Sequence, residues 1–301
     1  MSNKTYKIIT QEIIKKLEQV NTKDLEKPWF NIGLSPYNAI SKKTYRGVNY
    51  ITLGGNSHKS KAYASFKQWS GKDCRIKKDE KSHLAVFWKI GKYEDQKSGE
   101  EKTSILLRNY RVFNSEQVDG DYARDIESKK IRGLENHNPI PFAENLVSNY
   151  LSSQRLKVKP SDRASFAHST LGGEHINMPQ LGQFKDATSY YATFFHEMTH
   201  STGAHNRLDR DMSGSFGSQK YAKEELVAEL GAAMLSGSIG LTQTPRLDHV
   251  RYIKSWIRCL KNDECFIISA ASQAQKAADF IQEHAATYQE FLDQTKTTAA
   301  K

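Results

Sequence analysis

The stretch His196-Glu197-Met198-Thr199-His200 decides how this 301-residue chain is interpreted. It lies in a segment, 187–203, whose apolar periodicity predicts a helix, so the two histidines share one face about one turn apart. Two imidazoles at this spacing can bind one Zn²⁺ at roughly 2.0–2.1 Å. Glu197 can reach the open coordination position and take a proton from a water there. The pattern is that of HExxH zinc hydrolases, and it predicts Glu197 as the catalytic residue.

The next predicted helix, residues 222–236, supplies a third ligand and a supporting acid. Glu225 and Glu229 are four residues apart, on one face that also has apolar neighbours. Burying two carboxylates is unfavourable unless a cation or a donor compensates. We therefore predict a metal site made of His196, His200, Glu225 and Glu229, in which one acid is a direct ligand and the other orients a histidine. The economical arrangement makes Glu225 the direct ligand and Glu229 the acceptor that orients a histidine, although the two roles could be exchanged. Zn²⁺ is the default ion, although Mn²⁺ or Co²⁺ could occupy the same ligands.

Two alternatives compete with this ligand set. His205 lies near the final histidine of an HExxHxxGxxH pattern, but one residue short, because position 206 is Asn. The acids could also form an ordinary solvated face beside Lys220 and Lys223. In either alternative, Glu225 would not be a metal ligand.

Charge is distributed unevenly along the chain. Residues 1–150 contain 27 basic and 18 acidic side chains, and residues 151–301 contain 17 and 16, so the net charge of +10 resides almost entirely in the first half. A basic half joined to a neutral one predicts that the first half binds a polyanion.

Aromatic residues are interspersed among the cations of this first half. Cations that follow phosphates and rings that stack on unpaired bases are typical of proteins that bind single-stranded nucleic acid. We find no motif for reading a base sequence, so we expect binding without strong sequence preference. The residues predicted to contact the nucleic acid are Trp29, Tyr45, Arg46, Tyr50, Lys59, Lys61, Lys67, Trp69, Arg75 and Lys77. The competing expectation is that about half of the aromatics fill a small core.

The order of predicted elements gives an α+β fold in two domains. An amphipathic helix over 5–20 is followed by strand-like runs at 84–93 and 104–114, which predict an antiparallel sheet; a short helix is expected over 62–69. After residue 140 the chain is mostly helical with a small sheet, in which 175–177 could be an edge strand that pairs with a peptide. We predict a single-stranded DNA-binding domain over 1–130, a linker over 131–140 and a metallopeptidase domain over 141–301.

Several classes of protein are excluded by what the sequence lacks. No run of apolar residues approaches the length of a membrane span, and the first ten residues lack the apolar core of a secretory signal. Cys74, Cys259 and Cys265 are widely spaced and form no CxxC pair, as expected of idle thiols in a reducing compartment. We therefore expect a cytoplasmic protein without a membrane partner.

These motifs, taken in order, resemble plasmid-encoded antirestriction proteins of the ArdC type, whose N-terminal domain resembles the start of some plasmid primases. The resemblance covers nearly the whole chain to about residue 260. The residues that carry it are Pro28-Trp29, Ser35–Asn38, Tyr45–Tyr50, Ser65–Trp69, Tyr110–Asn114, Ile176–Pro179, His196–His200 and Tyr221–Glu229.

The resemblance implies a single-stranded DNA-binding domain, a zincin-like metallopeptidase domain and protection of incoming conjugative DNA from host restriction. In zincins whose second helix has the pattern ExxA[DE], the first acid is the ligand, which favours Glu225 over Glu229. Two alternatives remain open at this point. One is a DNA-binding shield with a purely structural metal, and the other is a DNA-tethered metalloprotease whose substrates are DNA-bound proteins.

Overall fold

A computed structural model describes residues 4–18, 34–56, 58–94, 101–126, 138, 140–169, 173–215, 217–241 and 249–283. The helices are α1 (Lys4–Glu18), α2 (Val48–Gly54), α3 (Phe66–Ser70), α4 (121–126), α5 (Ile140–Gln154), α6 (Ala187–Ser201), α7 (Gln219–Ser238), α8 (His249–Asn262) and α9 (Phe266–Gln282). The strands are β1 (Tyr37–Asn38), β2 (Ala62–Ala64), β3 (Arg75–Ile76), β4 (His83–Glu94), β5 (Glu101–Asn114), β6 (Val118–Asp119), β7 (Lys157–Pro160), β8 (Ser165–Ser169) and β9 (Gly173–Met178). The predicted α+β class is confirmed.

The first half is built on the long antiparallel pair of β4 and β5. Their register runs from His83 opposite Val112 to Glu94 opposite Glu101. Strand β2 pairs antiparallel with the other side of β5, and β1 pairs parallel with β2, so the strand order is β1-β2-β5-β4. A separate two-stranded sheet joins β3 to β6.

The helix predicted over residues 62–69 is wrong in its first part. Residues 62–64 are buried and form strand β2 against β5, so the helix begins only at Phe66. Ser65 fixes that start. Its hydroxyl accepts a hydrogen bond from the Gln68 amide at 3.3 Å, and the Gln68 side chain accepts one from the Ser65 amide at 2.9 Å. This capping box sets the boundary between strand and helix.

Strand β4 lies at the outer edge of its sheet, and one side chain pairs with it there. The Nδ2 of Asn49 donates to the carbonyl of Val86 at 2.7 Å, and Oδ1 of the same amide accepts from the amide of Val86 at 2.7 Å. Asn49 therefore satisfies both backbone groups of one edge residue, as a neighbouring strand would do.

The second half contains a three-stranded sheet of order β7-β9-β8. Strand β9 pairs parallel with β7 and antiparallel with β8, so it is the central strand and β8 lies at an edge. The sequence placed residues 175–177 at the edge, and this is wrong. The short exposed stretch Lys157–Pro160 was not predicted as a strand, although it forms β7 and pairs with β9.

One apolar cluster spans both halves of the chain. It contains Ile13 of α1, Ile51 of α2 and Leu84 of β4, together with residues of helices α5 to α9. Polar contacts cross the same boundary: the Tyr50 hydroxyl donates to the carbonyl of Ala233 on α7 at 2.7 Å. The first half thus packs directly on the second. The domain division stays a prediction, because most of the predicted linker 131–140 lies outside the described residues.

We expect Tyr50→Phe to lower the free energy of unfolding by about 1 kcal/mol, because a buried hydrogen bond between the halves is lost. Urea denaturation measures this change. The control is Tyr37→Phe, which removes a hydroxyl that makes no hydrogen bond to the described residues. Equal stability of Tyr50→Phe and the wild type would contradict the expectation.

Candidate metal centre

Two neighbouring helices present the predicted ligands. Asp186 caps α6 by accepting a hydrogen bond from the Ser189 amide at 2.7 Å, and the helix continues through both histidines to Ser201. Ser218 caps α7 in the same way, accepting from the Tyr221 amide at 3.1 Å. Each cap fixes the start of a helix about two to three turns before its functional residues.

The two helices approach closely at Gly231 of α7. A Cβ at this position would lie 2.5 Å from Cγ2 and 2.7 Å from Oγ1 of Thr199 on α6, closer than nonbonded atoms can approach. Only glycine fits without a shift of the helices. The contact brings Glu225 and Glu229, which precede Gly231 on α7, within reach of the histidines on α6.

Three ligand atoms converge between the helices. The Nε2 atoms of His196 and His200 are 3.1 Å apart. Oε2 of Glu225 lies 3.6 Å from Nε2 of His196, and its Oε1 lies 3.6 Å from Nε2 of His200. One ligand atom from each of these residues lies within 4.8 Å of the others.

A carboxylate stands behind each histidine. Oε1 of Glu229 lies 3.3 Å from Nδ1 of His196, although this buried nitrogen makes no hydrogen bond of good geometry. Oε1 of Glu224 lies 3.0 Å from Nδ1 of His200. Glu224 is in turn held by the buried guanidinium of Arg210, at 2.7 Å and 3.0 Å. Such partners fix the tautomer and the orientation of a ligand imidazole.

The chemistry of this donor set fits a divalent cation. A carboxylate behind Nδ1 favours the neutral tautomer that is protonated on Nδ1, and in that tautomer each Nε2 is an acceptor facing the other imidazole and the Glu225 carboxylate. Three facing acceptors repel one another unless a cation lies between them. Tetrahedral ligands at bond lengths of about 2.0–2.2 Å are separated by roughly 3.3–3.6 Å, close to the separations found here.

The ionisable groups of the site perturb one another. Burial acts to lower the pKa of His200, but the hydrogen bond to Glu224 and the nearby carboxylates outweigh it and raise the pKa. Burial acts to raise the pKa of Glu225, and the hydrogen bond and charge of His196 outweigh it, so the pKa lies below its usual value. The pKa of Glu224 is lowered for the same reason, since Arg210 and His200 overcome the effect of burial. Glu224 and Glu225 are therefore ionised at neutral pH.

Glu197 is buried and makes a contact with strand β8. Its Oε2 accepts a hydrogen bond from the backbone amide of Phe166 at 2.8 Å, whereas Oε1 receives no hydrogen bond from the described residues. The edge strand thus holds one carboxylate oxygen and leaves the other able to accept a proton.

Sequence reasoning missed three residues of this site. Glu224 was seen only as a neighbour of Glu225, Arg210 lies in the loop between α6 and α7, and Phe166 contributes a backbone amide rather than a side chain. Of these three residues, only Glu224 could have been suggested from the sequence, because it directly precedes the predicted ligand Glu225. His205, the alternative ligand, is exposed and pairs with Asp209 at 2.8 Å.

The residues predicted to bind nucleic acid divide into two groups. Arg46, Lys59, Lys67, Arg75 and Lys77 are exposed, and Arg46 forms an ion pair with Asp279 of α9. The remaining described residues are buried, at most 8% exposed, and this counts against a contact of their side chains with nucleic acid: Tyr45, Tyr50, Lys61 and Trp69. Trp69 has no exposed surface, and its indole donates to the carbonyl of Phe113 at 3.0 Å. Trp29 lies outside the described residues.

The fold and the site define a class of protein, the zincin-like metallopeptidase fold, which implies a bound metal. Residues 143–273 match the family described as zincin-like metallopeptidase, and residues 3–115 match the N-terminal domain of anti-restriction factor ArdC. The chain belongs to the family of ArdC-type antirestriction proteins, as its motifs predicted.

Individual relatives agree with this assignment. The metal-free crystal structure of antirestriction protein ArdC from plasmid R388 matches with a TM-score of 0.71 and 32% identity, covering 93% of this chain and 97% of that one. Its Mn(II)-bound structure matches with a TM-score of 0.67 and 31% identity, covering 94% and 98%. An uncharacterised protein of Sinorhizobium fredii, y4eC, is 35% identical over 291 residues, which are 92% of this chain and 91% of that protein.

The chain is also similar to part of a much longer protein. DNA primase TraC of Escherichia coli is 31% identical over 293 residues, which cover 91% of this chain and 26% of the primase. The chain thus spans about a quarter of the length of this relative.

Among the described residues, none of the helices combines the length and apolar character needed to cross a bilayer.

We expect Glu224→Gln to weaken binding of Zn²⁺ or Mn²⁺ by about 10–100-fold, because the acid that orients His200 loses its charge. Metal titration calorimetry on the folded protein measures this affinity. The control is Asp211→Asn, an exposed acid of the preceding loop that pairs with Lys220. If both variants bind metal as the wild type does, Glu224 does not support the ligand histidine.

Proposed function

We propose that this protein binds single-stranded DNA through residues 1–130 and carries a metal-dependent peptidase site in residues 141–301, joined by the linker 131–140. In this role it protects incoming conjugative plasmid DNA from host restriction, acting in the cytoplasm. The observation that carries the peptidase assignment is the convergence of His196, His200 and Glu225 beside Glu197.

Glu225 is the carboxylate that we assign as the third metal ligand. Each of its two oxygens lies 3.6 Å from the Nε2 atom of one histidine. Glu229 lies on the far side of the His196 ring, beside Nδ1. Glu229 and Glu224 then orient the two histidines. The ligand set of two imidazoles and one carboxylate suits Zn²⁺, and Mn²⁺ or Co²⁺ could use the same atoms. The Mn(II)-bound structure of the R388 relative supports a divalent ion at such a site.

The chain's own residues perform the steps of the reaction. A divalent cation in this site would supply a Lewis acid that polarises a peptide carbonyl. Glu197 accepts the proton of the attacking water on Oε1 and delivers it to the leaving amine. The Phe166 amide holds Oε2 and so keeps the carboxylate in a fixed orientation. The side of β8 that does not pair with β9 offers backbone groups, apart from the Phe166 amide, along which an extended peptide can pair.

The exposed cations support the DNA-binding assignment. Lys67, Arg75 and Lys77 lie on α3, on β3 and just after β3, with their side chains accessible to phosphate groups. The match of residues 3–115 to the N-terminal domain of anti-restriction factor ArdC, within which these side chains lie, supports the proposal.

One observation favours a second candidate function, a DNA-binding shield in which the metal is structural. Glu197 is only 4% exposed, and one of its oxygens is already bonded to Phe166. A carboxylate enclosed in this way could stabilise the helix and the edge strand without performing chemistry. In the third candidate, a DNA-tethered protease, the site is active and its substrates are proteins bound to DNA.

We expect Glu197→Gln to abolish metal-dependent proteolysis while metal content and thermal stability stay unchanged, because the amide oxygen still accepts from Phe166 but cannot take a proton. Cleavage of single-stranded DNA-bound proteins in the presence of Zn²⁺ or Mn²⁺ measures the activity. Glu144→Gln, an exposed acid on α5, is the control. If antirestriction in cells survives Glu197→Gln unaltered, the shield replaces the peptidase mechanism.

Binding to single-stranded DNA should weaken steeply with salt. Each phosphate neutralised by a cation adds about 0.7 to the slope of log affinity against log salt, because counterions are released. We expect Lys67→Ala and Arg75→Ala each to reduce this slope by about 0.7. Fluorescence anisotropy with a labelled oligonucleotide measures it, and Lys157→Ala on β7 is the control. A slope that is already near zero in the wild type would exclude the electrostatic interpretation.

A further inference from the structure

The rings that the sequence assigned to base stacking are largely unavailable for it. Tyr45, Tyr50 and Trp69 lie in apolar cores, so stacking on them would require unpacking. The aromatic residues with large exposed fractions, among those described, are Phe66, Phe87 and Trp88. A surface for unpaired bases therefore has to be sought around these three.

Phe87 lies in an exposed cluster on the β4–β5 pair. It is opposite Arg108, and Lys89, two residues further along β4, is opposite Leu106. Because directly opposed residues and residues two apart share a face of an antiparallel sheet, these four side chains lie on one side. We call this set, Phe87, Lys89, Leu106 and Arg108, the hairpin face.

The hairpin face offers an apolar surface bordered by cations. Phe87 is 47% exposed and Leu106 is 43% exposed, and both cations are exposed as well. Neither Lys89 nor Arg108 forms an ion pair within the described part of the chain. The four positions include no acid. Tyr110 continues the face toward the core, with its ring centroid 5.8 Å from that of Phe87 in an edge-to-face contact.

The opposite side of the same strands has a structural role. Trp88 is directly opposite the buried Leu107, and its ring contacts Tyr6 of α1 at a centroid distance of 6.5 Å. Asn109 donates to the hydroxyl of Thr5 at 3.0 Å. Helix α1 thus packs on this side, and the hairpin face is left as the solvent side of the sheet.

We propose that the hairpin face binds single-stranded DNA, with an unpaired base stacked on Phe87 and with Arg108 and Lys89 at the neighbouring phosphates. Every base has a π-face, so a ring flanked by cations binds without sequence preference. A base inside a duplex is covered on both faces by its neighbours, so the surface selects unpaired strands. The inference rests on the proposed DNA-binding function and specifies where on the chain it occurs.

The test is binding of a labelled oligo-dT by the full-length protein at fixed salt. Stacking is worth about 1–3 kcal/mol per base, so Phe87→Ala should weaken binding by about 5- to 160-fold, and Phe87→Trp should restore it. Trp88→Ala, the adjacent exposed ring on the opposite side, should bind as the wild type does. Thermal unfolding of each variant confirms that it is folded.

The outcomes separate the surface from the function. If the wild type binds oligo-dT and Phe87→Ala binds equally well, the hairpin face is not the stacking surface, although the DNA-binding function stands. If the wild type fails to bind, the proposed function itself is overturned. If Phe87→Ala weakens oligo-dT and a duplex of equal length alike, the surface binds phosphates without stacking, and the proposal is also overturned.

The cations provide an independent readout. We expect Lys89→Ala combined with Arg108→Ala to reduce the salt slope by about 1.4, while Phe87→Ala leaves the slope unchanged because stacking releases no counterions. An unchanged slope in the double variant would place these two side chains away from the phosphates and contradict the proposal.

Discussion

The contact between Gly231 of α7 and Thr199 of α6 is the constraint on which the metal centre depends. A Cβ at position 231 would overlap the Thr199 side chain, so that side chain or the helices would have to shift. Since Glu225 and Glu229 approach the histidines only through that packing, the separation of the helices determines which atoms meet. Gly231 follows Glu229 by two residues, so a shift of α7 at Gly231 would displace the carboxylates of Glu229 and Glu225 first.

The same packing creates an electrostatic problem that the surrounding residues resolve. Glu197, Glu224, Glu225 and Glu229 are all buried between or beside two helices. Arg210 neutralises Glu224, and the Phe166 amide donates to Glu197. The remaining negative charge faces the two imidazoles. Burying like charges this closely is unfavourable without a cation, so the fold of this region and its affinity for a divalent ion are linked properties.

The sequence predicts what is local and misses what depends on distance between elements. The histidine spacing on α6 is set by helical geometry alone, so the site was recognisable. The choice between Glu225 and Glu229 depends on how closely α7 approaches α6, which no spacing within α7 encodes. For the same reason the sequence does not distinguish Trp69 from Phe87, since both are aromatic residues among cations. In the fold, Trp69 is buried beneath β5 and Phe87 is exposed on β4. Strand β7 was missed because it has only four exposed residues, too few for a clear pattern, and its position depends on pairing with β9.

The pairing of Asn49 with Val86 bears on self-association. An outer strand with unpaired backbone groups is a template for a strand of another molecule. The side chain of Asn49, which lies on α2, already bonds the amide and the carbonyl of Val86 on β4. A second chain therefore cannot pair with β4 past Val86 without displacing α2. Edge-to-edge association of two copies through this part of β4 would therefore require the helix α2 to detach from the sheet.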